Sequence, residues 1–476
     1  MMSDLPPQHG ALTLGLRTLS VVLSILALAI SLLLVAVGLP SGVVSVLAGP
    51  PRPMTSVEVM PAEPDRLLVC MGPALSFGSQ GSHGIGYGAP LETTYGPGVT
   101  VSALTDTTVV DGFSLESAIT STPPVLVSQP VIEGPLAATS AQRLDNLNVR
   151  GLAASECQTP APEIWLAGGE TTTGRQLALS LSNPYEVSAL IDVDVWGATG
   201  PIIAPLGRGI LLAPKSQRVI SVAGLAPNEP SPVLRVTSAG VGVVASVHYS
   251  IVRGLEADGL SVMGSQPPPS TQRVIIGAYS PPEEVLGPLR GKDGYRDLGA
   301  LVRLLSPERD TVAQLTVLVA GAPEARIDVP LVAGQTTDFL LDEFGSGDLA
   351  IVLEADTPVV ASSRTSLGTD ARTDTDWVGS APSIVGESAF AVPAVGKTHL
   401  SVFNSGNEPL TATLDGRDIQ VPAGGLTTRP VPPGSHQLSS ALPFFAALSV
   451  RGETILDSFM VLPTPPRQGS VLVTVR

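Results

Sequence analysis

Leu177–Pro184 reads LALSLSNP, leucine alternating with alanine or serine until an Asn-Pro turn stops the run. A period of two buries one face of a strand, and Asn followed by Pro ends it. The same opening returns in Leu301–Pro307 (LVRLLSP) and Leu400–Pro409 (LSVFNSGNEP). Behind each comes a segment that reads as a hairpin with a small-residue tip: LLAPKSQRVISV from Leu211, PLVAGQTTDFLL from Pro330 and QVPAGGLTTRPV from Gln420. Each unit then closes with what reads as a paired run: VLRVTSAGVGVVASVHYSI from Val233, LAIVLEADTPVVASSRTSLG from Leu349 and FFAALSVRGETILDSFMVLP from Phe444. One order of parts in three places is an internal repeat.

The strands carry one apolar face. Along Leu190–Trp196, Ile191, Val193 and Val195 point one way and Leu190, Asp192, Asp194 and Trp196 the other, which assigns the valine face to a core. Glycine (49) and proline (45) punctuate short Val/Leu/Thr runs, the pattern of many strands joined by turns. The fold class expected is all-β: tandem immunoglobulin-like β-sandwich domains after a single N-terminal transmembrane helix. A propeller is the rival, and three unequal repeats fall short of a closed ring of typically four to eight blades. The expected organisation is a cytoplasmic tail (1–18), a transmembrane helix (19–39), a Pro-rich stalk (40–65), a divergent β domain with a disulfide (66–162), and sandwich repeats at 163–278, 279–394 and 395–476.

From Leu19 to Leu39 the chain has no charge, and about 1.5 Å per helical residue gives roughly 30 Å, a bilayer's hydrocarbon thickness. A cleaved signal peptide has a shorter apolar stretch, so the helix is read as retained despite Val46-Leu47-Ala48. Arg17 on its N-terminal side favours an inside N-terminus, with the bulk of the chain extracytoplasmic at the plasma membrane. The net charge of −16, with lysine at Lys215, Lys292 and Lys397 alone, leaves no basic stripe for phosphates, so nucleic acid is not an expected partner.

Cys70 and Cys157, the chain's two cysteines, are expected to pair outside the membrane. No Cys or His pair has metal-ligand spacing, and no cofactor or metal is expected. Gly78–Gly98 reads as a flexible loop in which His83, Tyr87 and Tyr95 are candidate ligand contacts. In Arg364–Trp377 (RTSLGTDARTDTDW), Asp370, Asp374 and Asp376 are candidates for a hard cation, against a plain solvated acidic loop. His248 sits beside Ser246 in a strand, with no G-x-S-x-G elbow to supply a nucleophile, and reads as an ordinary strand histidine. Trp165, Trp196 and Trp377 are candidates for a sugar platform, and core filling is the plainer reading.

Around WLAGGETTTGR (Trp165–Arg175), with Cys157 before it and LSLSNP after it, the chain resembles a family of actinobacterial secreted proteins catalogued as a domain of unknown function. The stretches around Cys70-Met71-Gly72-Pro73 and Asp376-Trp377 are similar to it too, with Met71 standing where a proline is expected. The resemblance implies one N-terminal membrane anchor, no assigned catalytic residues, and a gene commonly placed beside a membrane glycosyltransferase.

The function expected from all this is a non-enzymatic cell-envelope protein whose domains bind a partner protein or cell-wall glycan. Two alternatives stand beside it: an accessory subunit of a membrane glycosyltransferase in envelope polysaccharide assembly, and a hydrolase with an unrecognised site.

Overall fold

The computed structural model describes residues 26, 55–59, 65–77, 84–87, 91–96, 99–104, 108–110, 124–129, 135–295, 297–319, 324–369, 372–464 and 471–475. The chain forms two compact units, Met1–Ala62 with Arg467–Arg476, and Glu63–Pro466. In the first, Thr55–Val59, inside the expected stalk, is a strand paired antiparallel with Val471–Val475. The expected membrane segment lies outside the described residues except for Leu26, which is helical and exposed. No helix among the described residues is long and apolar enough to cross a membrane.

The second unit is predominantly β; the one α-helix among its described residues, Glu283–Arg290, follows Ser270–Ser280, a strand of the second repeat's sheet that pairs with Gly347–Thr369. Each repeat has two sheets around its own core. In the first repeat, Glu163–Ala167, Val233–Ala239 and Ala189–Gly197 belong to one sheet, and Glu256–Met263, Val244–Arg253, Arg175–Asn183 and Ser216–Ser221 to the other. The alternation predicted for Leu190–Trp196 holds: Ile191, Val193 and Val195 are buried and Leu190 is exposed, while Trp196 is buried at the next seam. The openings of the first and third repeats end in the same turn. Asn183 and Asn404 each donate Nδ2 to carbonyls (Val187 and Ala213, Glu408 and Pro422) and accept the N–H two residues on.

The segments read as hairpins are arches. Ile210–Leu212 pairs with Ala189–Gly197, whereas Ser216–Ser221 pairs with Arg175–Asn183 in the opposite sheet. The same division separates Ala325–Leu331 from Thr336–Leu340, and Arg417–Val421 from Leu426–Val431. The tips do turn tightly, with Lys215, Gly334 and Gly424 at positive φ, and such a tip joins two sheets as readily as two neighbouring strands.

The closing runs differ as well. In the second repeat the run is one strand, Gly347–Thr369, that pairs first with Thr311–Val319 and then with Gly299–Leu305, stitching the two sheets together. Gly434–Arg451 does the same in the third repeat, pairing with Ile384–Val392 and then Lys397–Phe403. Pro358 and Pro443 sit at the crossing points, where a residue without N–H removes no ladder bond. In the first repeat the strand is broken there by Gly240–Val243. Hairpins form at the end of each repeat, bringing Glu256–Met263, Arg372–Gly379 and Leu456–Met460 to the sheets' inner edges.

The disulfide-bearing segment has two three-stranded sheets and a two-stranded hairpin, and Cys70 is bonded to Cys157 between Leu68, Val125, Val127 and Ala138. Its Gly-rich stretch, expected as a loop, contains the strands Gly84–Tyr87 and Leu91–Tyr95. This segment closes the three repeats into a ring of four. Met71 and Ala153 pack on Leu260 and Val262 of the first repeat. Trp165 and Val233 meet Leu305 and Val360 at the next seam, and Val274 and Ile276 meet Phe403 and Met460 at the third. Ala141, Leu152 and Ala154 then join the third repeat's core and complete the circle. The ring form excluded on a count of three arises because the divergent segment is its fourth member, although each member has two sheets where a propeller blade has one.

Replacing Cys70 and Cys157 together by serine is expected to lower unfolding stability by roughly 4 kcal/mol, since the bond closes a separation of 87 residues. Urea unfolding at constant pH measures it.

Candidate functional site

The ring brings four strands to its axis: Arg150–Glu156, Glu256–Met263, Arg372–Gly379 and Leu456–Met460. Each is the inner edge of its sheet and presents unpaired N–H groups to the buried centre. Carboxyl groups answer them. Asp374 Oδ1 accepts the N–H of Leu260 (3.0 Å) and its own neighbour Thr375 (3.0 Å), and Oδ2 accepts those of Leu152 (3.0 Å) and Leu456 (3.0 Å). One side chain thereby bonds the backbone of all four ring members.

The pattern continues along the axis. Asp258 accepts the N–H of Thr373 (2.5 Å) and its hydroxyl (2.7 Å). Ser261 Oγ accepts the N–H of Trp377 at 3.1 Å. Asp457 accepts those of Ala154 (2.6 Å) and Ser458 (2.8 Å) and faces the carboxyl of Asp376. Glu156 accepts from the Gln158 amide at 2.7 Å and from the Met460 backbone. Asp374, Asp376 and Asp457 are all at most 1% exposed.

Burial dominates the titration of these groups. It pushes Asp376 up to about 6 and Glu156 up to about 7, and lifts Asp457 well above the carboxylate range with help from the charges of Asp376 and Asp374. Burial also raises Asp374, against the pull of its N–H donors. With donors on both oxygens and no acceptor for a carboxyl proton, the geometry fits its carboxylate. Gly151 makes room for it: at φ +136° it is in glycine territory, and a Cβ there would overlap the Asp374 carboxylate and the Leu260 backbone.

Between the first and second repeats lies a charged seam. Arg253 bonds Asp258 (2.7 Å) and Asp297 (2.6 Å) and stacks over Tyr295, and Arg175 reaches Asp297 at 2.8 Å. Against the burial that would raise it, Arg253 and Arg175 hold the Asp297 carboxyl below its usual range. Arg303, 1% exposed, grips Asp338 with two nitrogens, donates to the carbonyls of Gly169, Pro230 and Pro232, and lies over the Trp377 ring.

Asp374 and Asp376, read as cation ligands or a solvated loop, are therefore interior strand residues that knit the axis. His83 and Asp370 lie outside the described residues. Tyr87 and Tyr95 end two strands with different partners, Ala74–Phe77 and Ala137–Asp145. Among the described residues no group of three or more His, Cys, Asp or Glu is placed to hold a metal ion. Ser246 Oγ lies 3.1 Å from His248 Nε2, but both are buried, Nδ1 has no partner, and burial pushes the imidazole down to about 3, so it is neutral. Trp165 and Trp196 stack at 5.2 Å with Arg235 over both rings, 2% and 9% exposed, and fill a seam. The axial acids carried a sequence signal that was missed: an acidic residue recurs in the last strand of every repeat, at Asp258, Asp374 and Asp457.

A group of exposed aliphatic side chains lies on the first repeat's outer sheet. Leu190 and Leu211 are cross-strand partners, 51% and 61% exposed, and Ile203 (91%) and Leu206 (73%) stand on the adjoining connection. An open depression of about 440 Å³ there is lined by Trp196, Pro201, Ile202, Ile203 and Pro205, with Asp194 and Arg208 at its polar side.

In comparison with known proteins, residues 115–434 match a model described as a family of unknown function (DUF5719). No curated protein matches, and no solved structure does. The matched span includes Glu156, Asp258, Asp374 and Asp376 and ends before Asp457.

Asp374→Ala is expected to cost at least about 4 kcal/mol, because it strands four buried N–H groups at about 1 kcal/mol or more each. Leu211→Ala, on an exposed side chain, is expected to change stability by less than about 0.5 kcal/mol. Urea unfolding of both variants beside the parent checks the contrast.

Proposed function

Because the chain belongs to the DUF5719 family, one of unknown function whose model covers more than half of it, its role is read from its own surface, and we propose a non-enzymatic cell-envelope protein that binds a partner protein. In this reading residues 19–39 anchor it in the plasma membrane, the rest is extracytoplasmic, and each repeat is an immunoglobulin-like sandwich elaborated for the ring. The disulfide supports an oxidising location.

The observation that carries the reading is a division of labour between interior and surface. The axial acids Asp374, Asp376, Asp457 and Glu156, and His248 in the first repeat, are buried away from the surface. The exposed aliphatic side chains of Leu190, Ile203, Leu206 and Leu211 gather instead on one outer sheet, beside an open depression. A protein partner is favoured over a cell-wall glycan because Trp196, the aromatic ring that lines the depression, is 9% exposed and stacked on the buried Trp165, which leaves little ring face for a sugar. The partner is read as a membrane protein, since an apolar segment of bilayer length puts both in one plane. The membrane glycosyltransferase implied by the family resemblance is of that kind, and the chain would be its accessory subunit.

Ile203→Glu with Leu211→Glu is expected to abolish co-purification of a polytopic membrane protein from detergent extracts after crosslinking in intact cells, with the thermal midpoint of the variant unchanged. Capture of the same protein by the variant, or of peptidoglycan alone by the parent, overturns the reading.

A further inference from the structure

The axial acids include one oxygen that no backbone group serves. Asp376 Oδ1 is buried without any N–H or O–H partner among the described residues, while both oxygens of Asp457 already accept backbone N–H bonds. The two carboxyls contact each other. Two carboxylates in contact in a dry interior repel, and a proton between them turns the repulsion into a hydrogen bond. Asp376 belongs to the second repeat and Asp457 to the third, and Asp457 in turn holds Ala154 of the disulfide-bearing segment. The contact thus spans one seam and supports the next.

Among the described residues the surroundings supply no unpaired cation to take the proton's place. Of the axial strands, Arg150–Glu156 contributes Glu156, Glu256–Met263 contributes Asp258 with Arg253 bonded to it, and Arg372–Gly379 contributes Asp374. On the strands packed behind, Arg364 is paired with Glu170, Arg273 donates to the Val359 carbonyl, Arg451 is paired with Asp348, and His436 with Asp415. The largest influences on Asp376 and Asp457 are burial, each other, Asp374 and neighbouring backbone and serine groups, with no Lys or Arg among them.

We propose that the third repeat's axial strand, Leu456–Met460, is held in the ring by a proton shared between Asp376 and Asp457, so that the ring is tightest in mild acid and loosens at this strand when the proton leaves. The folded-state values lie above the unfolded ones, so this stabilisation is complete below about pH 4, where the unfolded carboxyls titrate. It is lost as pH rises through about 6 for Asp376, and through about 7 for Glu156, whose carboxyl accepts from the same strand. Loosening exposes the N–H groups of Leu152, Ala154 and Leu456, which otherwise bond Asp374 and Asp457.

The experiment is amide hydrogen exchange on the full-length protein in detergent between pH 5 and 8, corrected for the intrinsic pH dependence. Protection at Leu152, Ala154 and Leu456 is expected to fall roughly 10- to 100-fold across that range, while Leu179 and Leu315 in the repeat cores stay constant. In Asp376→Asn, whose amide donates to Asp457 without a titrating proton, the fall is expected to shrink to the part owed to Glu156. Equal pH dependence in parent and variant overturns the proposal. Should the variant not fold, carboxyl infrared bands of the parent decide: a titration near 6 that belongs to the pair supports it, and all carboxyls ionising near 4 overturns it.

Discussion

The constraint on which the structure depends is that four sheet edges point at one another in the buried centre of the ring. An edge strand carries N–H groups that must be bonded or hydrated, and at the axis there is no bulk water to serve them. The Asp374 carboxylate resolves this by accepting one N–H from each axial strand. A carbonyl could not do so, because it offers one oxygen and belongs to a ladder. A carboxylate offers two oxygens and about four lone-pair sites, and the amide dipoles that surround it offset its desolvation.

Closing the ring decides how the remaining polar groups are used. Apolar contacts at each seam supply most of the attraction, as in any core, but they do not fix register. Direction comes from the buried polar bonds: Asp258 to Thr373, Asp457 to Ala154, Thr139 to Ala391, and Arg303 between Asp338 and three carbonyls. Each loses much of its worth if a member shifts by one residue, since a slip turns every side chain to the other face. The price is a set of buried acids, Asp374, Asp376 and Asp457, that burial pushes toward the protonated form.

The repeats were legible because they obey local rules. Alternation in Leu177–Ser182 and Leu190–Trp196 follows from one buried face, and the Asn183 and Asn404 turns from side chains that bond their own backbone. The arches were not legible: a left-handed tip such as Gly424 looks the same whether its flanking strands pair with each other or with strands of opposite sheets. The axial acids were misread for a related reason. In Thr373-Asp374-Thr375-Asp376 nothing local distinguishes a solvated acid from one wrapped by amides of strands more than a hundred residues away, such as Leu260.

What the sequence alone determined is the β character, the threefold recurrence, the pairing of Cys70 with Cys157, and which face of each strand is apolar, because these depend on periodicity and on residue type. Tertiary structure decided that the units form a ring, that the divergent segment supplies its fourth member, and that Asp374, Asp376 and Asp457 share one dry axis. Those depend on contacts between residues far apart in the chain, where geometry determines whether a charge meets water, an amide or another charge.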